Sequence, residues 1–358
     1  MENKVKKAVV VGGSNGMGLA VSVELLNRGY FVEIADLTAP DEEELEGWID
    51  QYSYSYTNLL DFDEDLFRSY AEDRFLDTLV ITAGIGRIAD FQYHHIAEID
   101  KTFIIDSLST IKILRIFYDR IMSSDSFYTA VMGSIAGWMS SPCASVYSAA
   151  KAGVVRLIEA VNIELEVYAS PNRILDVSPS SFKGSRFYGG KNDLSVMSGL
   201  ASEIVNRMFG RETRFIPQYE EIFKGVLDRY YTDPHEYGIH SYNYKESSGR
   251  KDNTQRVKVG YLCTVIKQID INLINKLKEA RRRCDYLIVG IKNNEDCNDG
   301  SNSIPLEELI NIVKACRYVD RVIDGTMDIS EAQKNWHINR LFTESDIIDV
   351  QGLSTSNI

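Results

Sequence analysis

The sequence predicts an α/β protein: a doubly wound parallel sheet followed by a second, smaller α/β unit. Three observations carry that prediction. An apolar, β-branched run near the N-terminus opens directly into Gly12-Gly13-Ser14-Asn15-Gly16-Met17-Gly18. Short apolar runs then alternate with helix-length segments over roughly residues 5–230, the pattern of strands joined by crossover helices. After a polar interval, a second alternation of the same kind begins at Val257.

The elements follow in order. Ala8-Val9-Val10-Val11 reads as a buried parallel strand, short and ended by glycines. Leu19 to Asn27 reads as a helix closed by Gly29. Between them, free backbone N–H groups and the positive end of the helix dipole suit a pyrophosphate. Gly12, Gly16 and Gly18 allow the tight turn and close approach of phosphate, and Ser14, Asn15 and Met17 complete the loop. The second strand, Tyr30 to Ala35, ends at Asp36, with Leu37 next. An acid there can accept hydrogen bonds from the adenosine ribose hydroxyls and would repel a 2′-phosphate. No Arg or Lys follows in Leu37-Thr38-Ala39-Pro40-Asp41, so the expected cofactor is NAD rather than NADP. The plainer alternative is that Asp36 only starts a loop. Leu79-Val80-Ile81-Thr82-Ala83-Gly84 reads as a further strand and its turn.

Proton chemistry is suggested by Tyr147-Ser148-Ala149-Ala150-Lys151, with Ser134 ahead of it at the end of the strand Val131-Met132. A Tyr hydroxyl with its ordinary pKa of about 10 is a poor base at neutral pH. A Lys four residues later on a helix shares its face, and its charge is expected to lower the Tyr pKa. Tyr147 could then exchange a proton with a carbonyl or alcohol oxygen, while Ser134 holds that oxygen. Taken alone, Tyr-x-x-x-Lys is also the spacing of an ordinary surface pair.

The glycine loop, Ser134 and the Tyr147–Lys151 pair, in this order and spacing, resemble the short-chain dehydrogenase/reductase family. The resemblance implies a Rossmann-type sheet, a nicotinamide cofactor and interconversion of an alcohol with a ketone. It implies that Asp61 and its neighbour Phe62 lie near the adenine. It matches Thr82-Ala83-Gly84 to the end of the family's Asn-Asn-Ala-Gly segment. It implies that Pro179 and Ser181 belong to the segment that holds the carboxamide, and that residues after Gly184 form the substrate loop. There are departures. Asp106 stands where many members carry an Asn that supports the Lys through a water relay. Pro179-Ser180-Ser181-Phe182 lacks the family's Gly and Thr, and Val11 replaces the commoner Thr. Ser134, Tyr147, Lys151 and Asp106 are the expected catalytic group.

Bulk properties agree with a cytoplasmic enzyme. The chain has 358 residues, 44% of them hydrophobic, which allows two cored domains. A net charge of −13 argues against nucleic-acid or anionic-membrane partners. Neither a leader nor a membrane span is expected from the sequence. Cys143, Cys263, Cys284, Cys297 and Cys316 are odd in number, lack Cys-x-x-Cys spacing and read as reduced thiols. No metal-ligand pattern is seen; His94-His95, His235 and His240 read as loop or surface residues.

Helices are expected over Leu200–Phe209 and Tyr219–Tyr230. The expected domains are residues 1–231, a polar linker at 232–256, and a second domain at 257–358. In that domain Val257–Leu262, Asp285–Ile291 and Val319–Ile323 read as strands, and Asn272–Arg283 and Pro305–Cys316 as helices. Its sequence resembles nucleotidylyltransferases of the glycerol-phosphate cytidylyltransferase type, through Cys284–Gly290, Ile304–Glu308, Tyr318–Ile323 and the tail Gly352–Ile358. That family uses a His-x-Gly-His element on the transferring phosphates. Here Asp270-Ile271-Asn272-Leu273 occupies its place, and Leu309 stands where an Arg is common, so the domain is expected to be inactive and kept for packing or dimerisation, the alternative being a retained nucleotide or sugar-phosphate binding role. The two resemblances together imply a small-molecule carbonyl or alcohol substrate, of which a phosphorylated sugar or polyol and a nucleotide-linked sugar for a surface polysaccharide are the candidates, and a homo-oligomer. Two alternatives stay open: a non-catalytic dinucleotide-binding scaffold or sensor, and a bifunctional reductase/cytidylyltransferase.

Overall fold

The computed structural model describes residues 5–180, 184, 192–254, 256–266, 269–292, 305–327, 329–342 and 347–349. The chain divides into two compact units, Met1–Asn253 and Thr254–Ile358.

The first unit is built on β1 (Lys7–Val11), β2 (Phe31–Asp36), β3 (Tyr52–Tyr56), β4 (Leu76–Ile81), β5 (Tyr128–Met132), β6 (Ile174–Val177) and β7 (Arg214–Phe215). They form one seven-stranded sheet in the order β3-β2-β1-β4-β5-β6-β7, with every pair parallel. The helices are α1 (Gly16–Asn27), the single turn α2 (Glu42–Leu45), α3 (Glu64–Glu72), α4 (Ile96–Phe103), α5 (Ser109–Ile116), α6 (Tyr118–Met122), α7 (Ser145–Val167), α8 (Leu194–Phe209), α9 (Lys224–Thr232) and α10 (Pro234–Ser247).

The apolar runs mark strands buried on both faces. Ala8 and Val10 of β1 pack into one core with α1 and α8, through Leu19, Leu25, Ala201 and Ile204. Val9 and Val11 point the other way, into a second core with α3, α5 and α7 through Phe67, Ile113 and Val154. Strand order reverses between β1 and β4, which leaves a crevice at their C-terminal ends where such sheets bind ligands.

The polar interval, expected to be a linker or a wrapping segment, contains α10. Asp233 caps it, accepting from the N–H groups of His235 and Glu236, and Pro234 opens it. No residue of α10 is buried, which is why its composition reads as a connector. The chain then folds back on the first unit: Arg87 donates to the Asp252 carbonyl at 2.8 Å, and Lys251 pairs with Asp90 at 3.1 Å. Asp233-Pro234 was the available sequence signal, an N-cap followed by Pro at the first helical position.

The second unit holds β8 (Val259–Thr264), β9 (Tyr286–Ile291), β10 (Arg321–Asp324), β11 (Arg340–Phe342) and β12 (Ile347–Asp349) in the order β10-β9-β8-β11-β12. Among the described residues, only the β11–β12 pair is antiparallel. Helices α11 (Ile271–Arg282), α12 (Leu306–Lys314) and α13 (Ile329–Trp336) accompany it. Its core joins Leu262, Leu287 and Val289 of the sheet to Leu277 and Leu309 of the helices.

Candidate active site

The glycine loop turns between β1 and α1 at the crevice. Gly12 takes φ +84°, and a Cβ there would stand 2.7 Å from the Ala83 Cα, so only glycine fits. Thr82, in place of the family's Asn, donates its hydroxyl to the carbonyls of Val11 and Gly12 at 3.1 and 3.0 Å and pins the turn. Asp36 lies at the end of β2 beside the loop, where its carboxylate accepts from the N–H groups of Ser14 (2.9 Å) and Leu37 (2.6 Å). Those bonds leave lone pairs on both oxygens for further donors. Asn15 precedes the helix without capping it, and its amide donates to the Thr38 hydroxyl at 3.2 Å. Met17 is buried under the loop.

Ser134, Tyr147, Lys151 and Asp106 come together across the end of β5. Ser134 follows that strand and accepts from the Ala136 N–H at 3.2 Å. Tyr147 and Lys151 lie one turn apart on α7, with Tyr147 hydrogen-bonded to Ser134. Lys151 is 2% exposed; its ammonium donates to the Met132 carbonyl at 2.9 Å and lies 5.9 Å from the centre of the Tyr147 ring. Asp106 sits in a π-helical turn, Ile104–Leu108, between α4 and α5, a distortion that often marks functional positions. It is fully buried; Oδ1 accepts from the Ile85 N–H at 2.9 Å and lies 3.5 Å from Lys151 Nζ, while Oδ2 has no hydrogen-bond partner among the described residues. A Cβ on Gly84 would come within 2.6 Å of Asp106 Oδ1, so Gly84 lets the carboxyl reach this position.

Proton affinities depart from the sequence expectation. Burial pushes the Tyr147 hydroxyl well above its ordinary pKa; the Ser134 hydrogen bond opposes this, and the Asp106 charge adds to it. The lowering expected from Lys151 is not seen; the net shift is upward. Burial likewise raises the Asp106 carboxyl to about 6, against the pull of Lys151 and the Ile85 N–H.

Of the other expected cofactor residues, Ala83 and Gly84 border the loop and Asp106 respectively. The Pro179 carbonyl accepts from the Ile135 N–H at 3.1 Å, which fixes the segment after β6 against the Ser134 turn. Leu37 is exposed. The Asp61 N–H donates to the Asn58 carbonyl at 3.0 Å, and Phe62 stacks on Phe67 with ring centres 5.1 Å apart. Ser181, most of the substrate loop, Cys297 and the 352–358 tail lie outside the described residues.

Two neighbours of the site were not singled out from the sequence. Asp176, in β6, accepts the Ser178 hydroxyl at 2.7 Å, and Ser178 in turn accepts from the Trp138 indole N–H at 3.1 Å. Burial raises the Asp176 carboxyl to about 6. Its one signal was a lone acid in the apolar run Ile174-Leu175-Asp176-Val177. The other is Asn192, whose Oδ1 accepts from the Gly16 N–H at 3.0 Å.

In the second unit Asp270 is the N-cap of α11, its carboxylate accepting from the Leu273 N–H at 2.9 Å. Leu309 is buried in the core.

Among the described residues, no helix is long and apolar enough to cross a membrane.

Comparison with known proteins agrees with this geometry. The short chain dehydrogenase family matches residues 6–184, half of the chain. The 5′-hydroxyaverantin dehydrogenase of Emericella nidulans is 25% identical over 42% of the chain, and the match spans 58% of that relative's length. Among solved structures, a short-chain dehydrogenase from Streptomyces avermitilis superposes with a TM-score of 0.53 at 19% identity, covering 69% of this chain and all of that one. LigD from Sphingobium sp. strain SYK-6 gives 0.52 at 21% identity, covering 63% and 94%. Levodione reductase gives 0.50 at 18% identity, covering 59% and 94%. With a sheet in the order of a doubly wound dinucleotide-binding fold and Ser134, Tyr147 and Lys151 gathered at its crevice, the chain belongs to the short-chain dehydrogenase family.

Proposed function

We propose that the first unit is an NAD-dependent oxidoreductase that interconverts an alcohol and a ketone. The observation that carries this is the convergence of Ser134, Tyr147, Lys151 and Asp106 at the crevice that also holds the glycine loop. The loop suits a dinucleotide: Gly12 and Gly84 keep its wall free of side chains, Gly16 begins a helix, and Asp36 presents a carboxylate to a ribose. The nicotinamide, when bound, supplies or accepts the hydride. Every other step falls to the chain. Ser134 holds the substrate oxygen by hydrogen bond. Tyr147 gives that oxygen a proton, or takes one from it. Lys151 keeps positive charge beside the phenol, and Asp106 balances it. Tyr147 serves as the acid when a ketone is reduced and as the base when an alcohol is oxidised.

The substrate class follows from the second unit by analogy alone: a sugar or polyol, free, phosphorylated or nucleotide-linked. The second unit is read as an inactive cytidylyltransferase-like domain. In support, Asp270 spends its carboxylate on capping a helix and Leu309 serves the core. The chain is further read as a cytoplasmic homo-oligomer.

The test is NADH oxidation against a panel of ketoses, their phosphates and nucleotide-linked keto sugars, with Tyr147→Phe as control. Turnover that depends on Tyr147 supports the proposal. NADH binding without turnover on any member would favour the dinucleotide-sensor alternative.

A further inference from the structure

The helix that receives the cofactor is capped by a residue from far along the chain. Asn15 occupies the N-cap position of α1, but its side chain makes no capping hydrogen bond. The Gly16 N–H, among the unsatisfied donors of the first turn, is taken instead by Asn192 Oδ1 at 3.0 Å, across 176 positions of sequence. The Asn192 Nδ2 donates to Asn15 Oδ1 at 3.4 Å, and Asn15 Nδ2 donates to Thr38 at 3.2 Å. Two side-chain amides thus cross the loop from Asn192, just ahead of α8, to the Thr38 hydroxyl, just past β2. The next residue, Asp193, caps α8 and donates its N–H to the Gly184 carbonyl at 3.0 Å, and α8 packs on α1 through Ala201, Ile204 and Val205.

A first-turn N–H at this loop is a donor that a pyrophosphate would use. The Asn192 oxygen therefore occupies, in the unliganded protein, a hydrogen bond the cofactor needs. An amide suits the exchange. Its oxygen can satisfy the N–H, and its NH₂ can donate to a phosphate once the oxygen is displaced. A carboxylate could do only the first.

We propose that Asn192 is a cofactor-site residue, holding the Gly16 N–H until the dinucleotide's pyrophosphate replaces it and then donating to that pyrophosphate. This rests on the reading of the glycine loop as the dinucleotide site.

The experiment is a fluorescence titration of the full chain with NADH, alongside calorimetric titrations with ADP-ribose and with adenosine, for wild type, Asn192→Asp and Asn192→Ala. Melting curves verify that all three are folded. Asn192→Asp places a carboxylate on the donor and opposite the phosphates. It should weaken NADH and ADP-ribose by tenfold or more, about 1.4 kcal/mol, and leave adenosine unchanged. Asn192→Ala removes the competing oxygen together with the donor, and should shift NADH by less than threefold. Wild-type affinity for NADH in Asn192→Asp would overturn the proposal. So would equal weakening by Asp and Ala, or an equal loss for adenosine, since each would mean a structural role. A wild-type chain that binds neither NADH nor ADP-ribose would instead refute the dinucleotide reading itself.

Discussion

Asp106 Oδ1 stands 3.5 Å from Lys151 Nζ, both groups buried, and the second oxygen of that carboxyl has no hydrogen-bond partner among the described residues. A carboxylate in this position carries a desolvation cost that one ammonium at that distance does not cancel, so the group titrates near 6 instead of near 4. The folded chain then binds the Asp106 proton more tightly than the unfolded chain. Stability from this group is present below about pH 4 and is lost as pH rises toward 6.

In Asp106→Asn that loss is absent. Relative to wild type, the variant should gain about 1 kcal/mol between pH 5 and pH 7.5. Urea unfolding at the two pH values measures it. Asp176 titrates in the same range and keeps a slope in both proteins, so the comparison is between slopes. Parallel curves would show that Asp106 is not the titrating group.

Tyr147→Phe removes the hydroxyl that meets the substrate oxygen. Turnover of any substrate found should fall by about 10²–10⁴-fold. NADH affinity should stay within about threefold, since the ring remains in place. Retained turnover would exclude Tyr147 as the proton donor.

NADH should bind more tightly than NADPH by on the order of a hundredfold, about 2.7 kcal/mol, because a 2′-phosphate would face the Asp36 carboxylate. Competitive titration of the two decides it. Equal affinities would mean that Asp36 does not face the ribose.

Gly84→Ala would force a methyl against Asp106 Oδ1 and, at 3.4 Å, against Lys151 Nζ. The expected cost is about 1–3 kcal/mol, read as a lower melting temperature. A neutral effect would show that the π-helical turn carrying Asp106 can yield.

For the second unit, the full chain should release no pyrophosphate from CTP with glycerol or ribitol phosphate. A chain ending at Asn253 should bind NADH like the full protein and melt above one ending at Gly249, which lacks the Lys251–Asp90 and Asp252–Arg87 ties. Robust pyrophosphate release would restore the bifunctional alternative. Equal melting of the two shortened chains would mean that those ties add nothing.

The sequence by itself determined the sheet's central strands, the glycine loop and the Ser134, Tyr147 and Lys151 group, but not the edge strands β3 and β7. Each is written locally: β-branched runs for strands buried on both faces, glycines where a turn excludes side chains, and a four-residue step along one helix face. It also located α8, although six residues late, because the early turns of that helix hold exposed Ser195, Val196 and Ser198 rather than an apolar face. The tertiary structure alone decided the rest. Asn192 meets Gly16 only because α8 packs on α1. Asp176 becomes a buried acid only because β6 is covered on both faces. Tyr147 holds its proton tightly because burial raises its pKa and Asp106, arriving on another helix, adds to the rise. Proton affinity depends on burial and on charges brought from other elements, and no local spacing records which elements will meet.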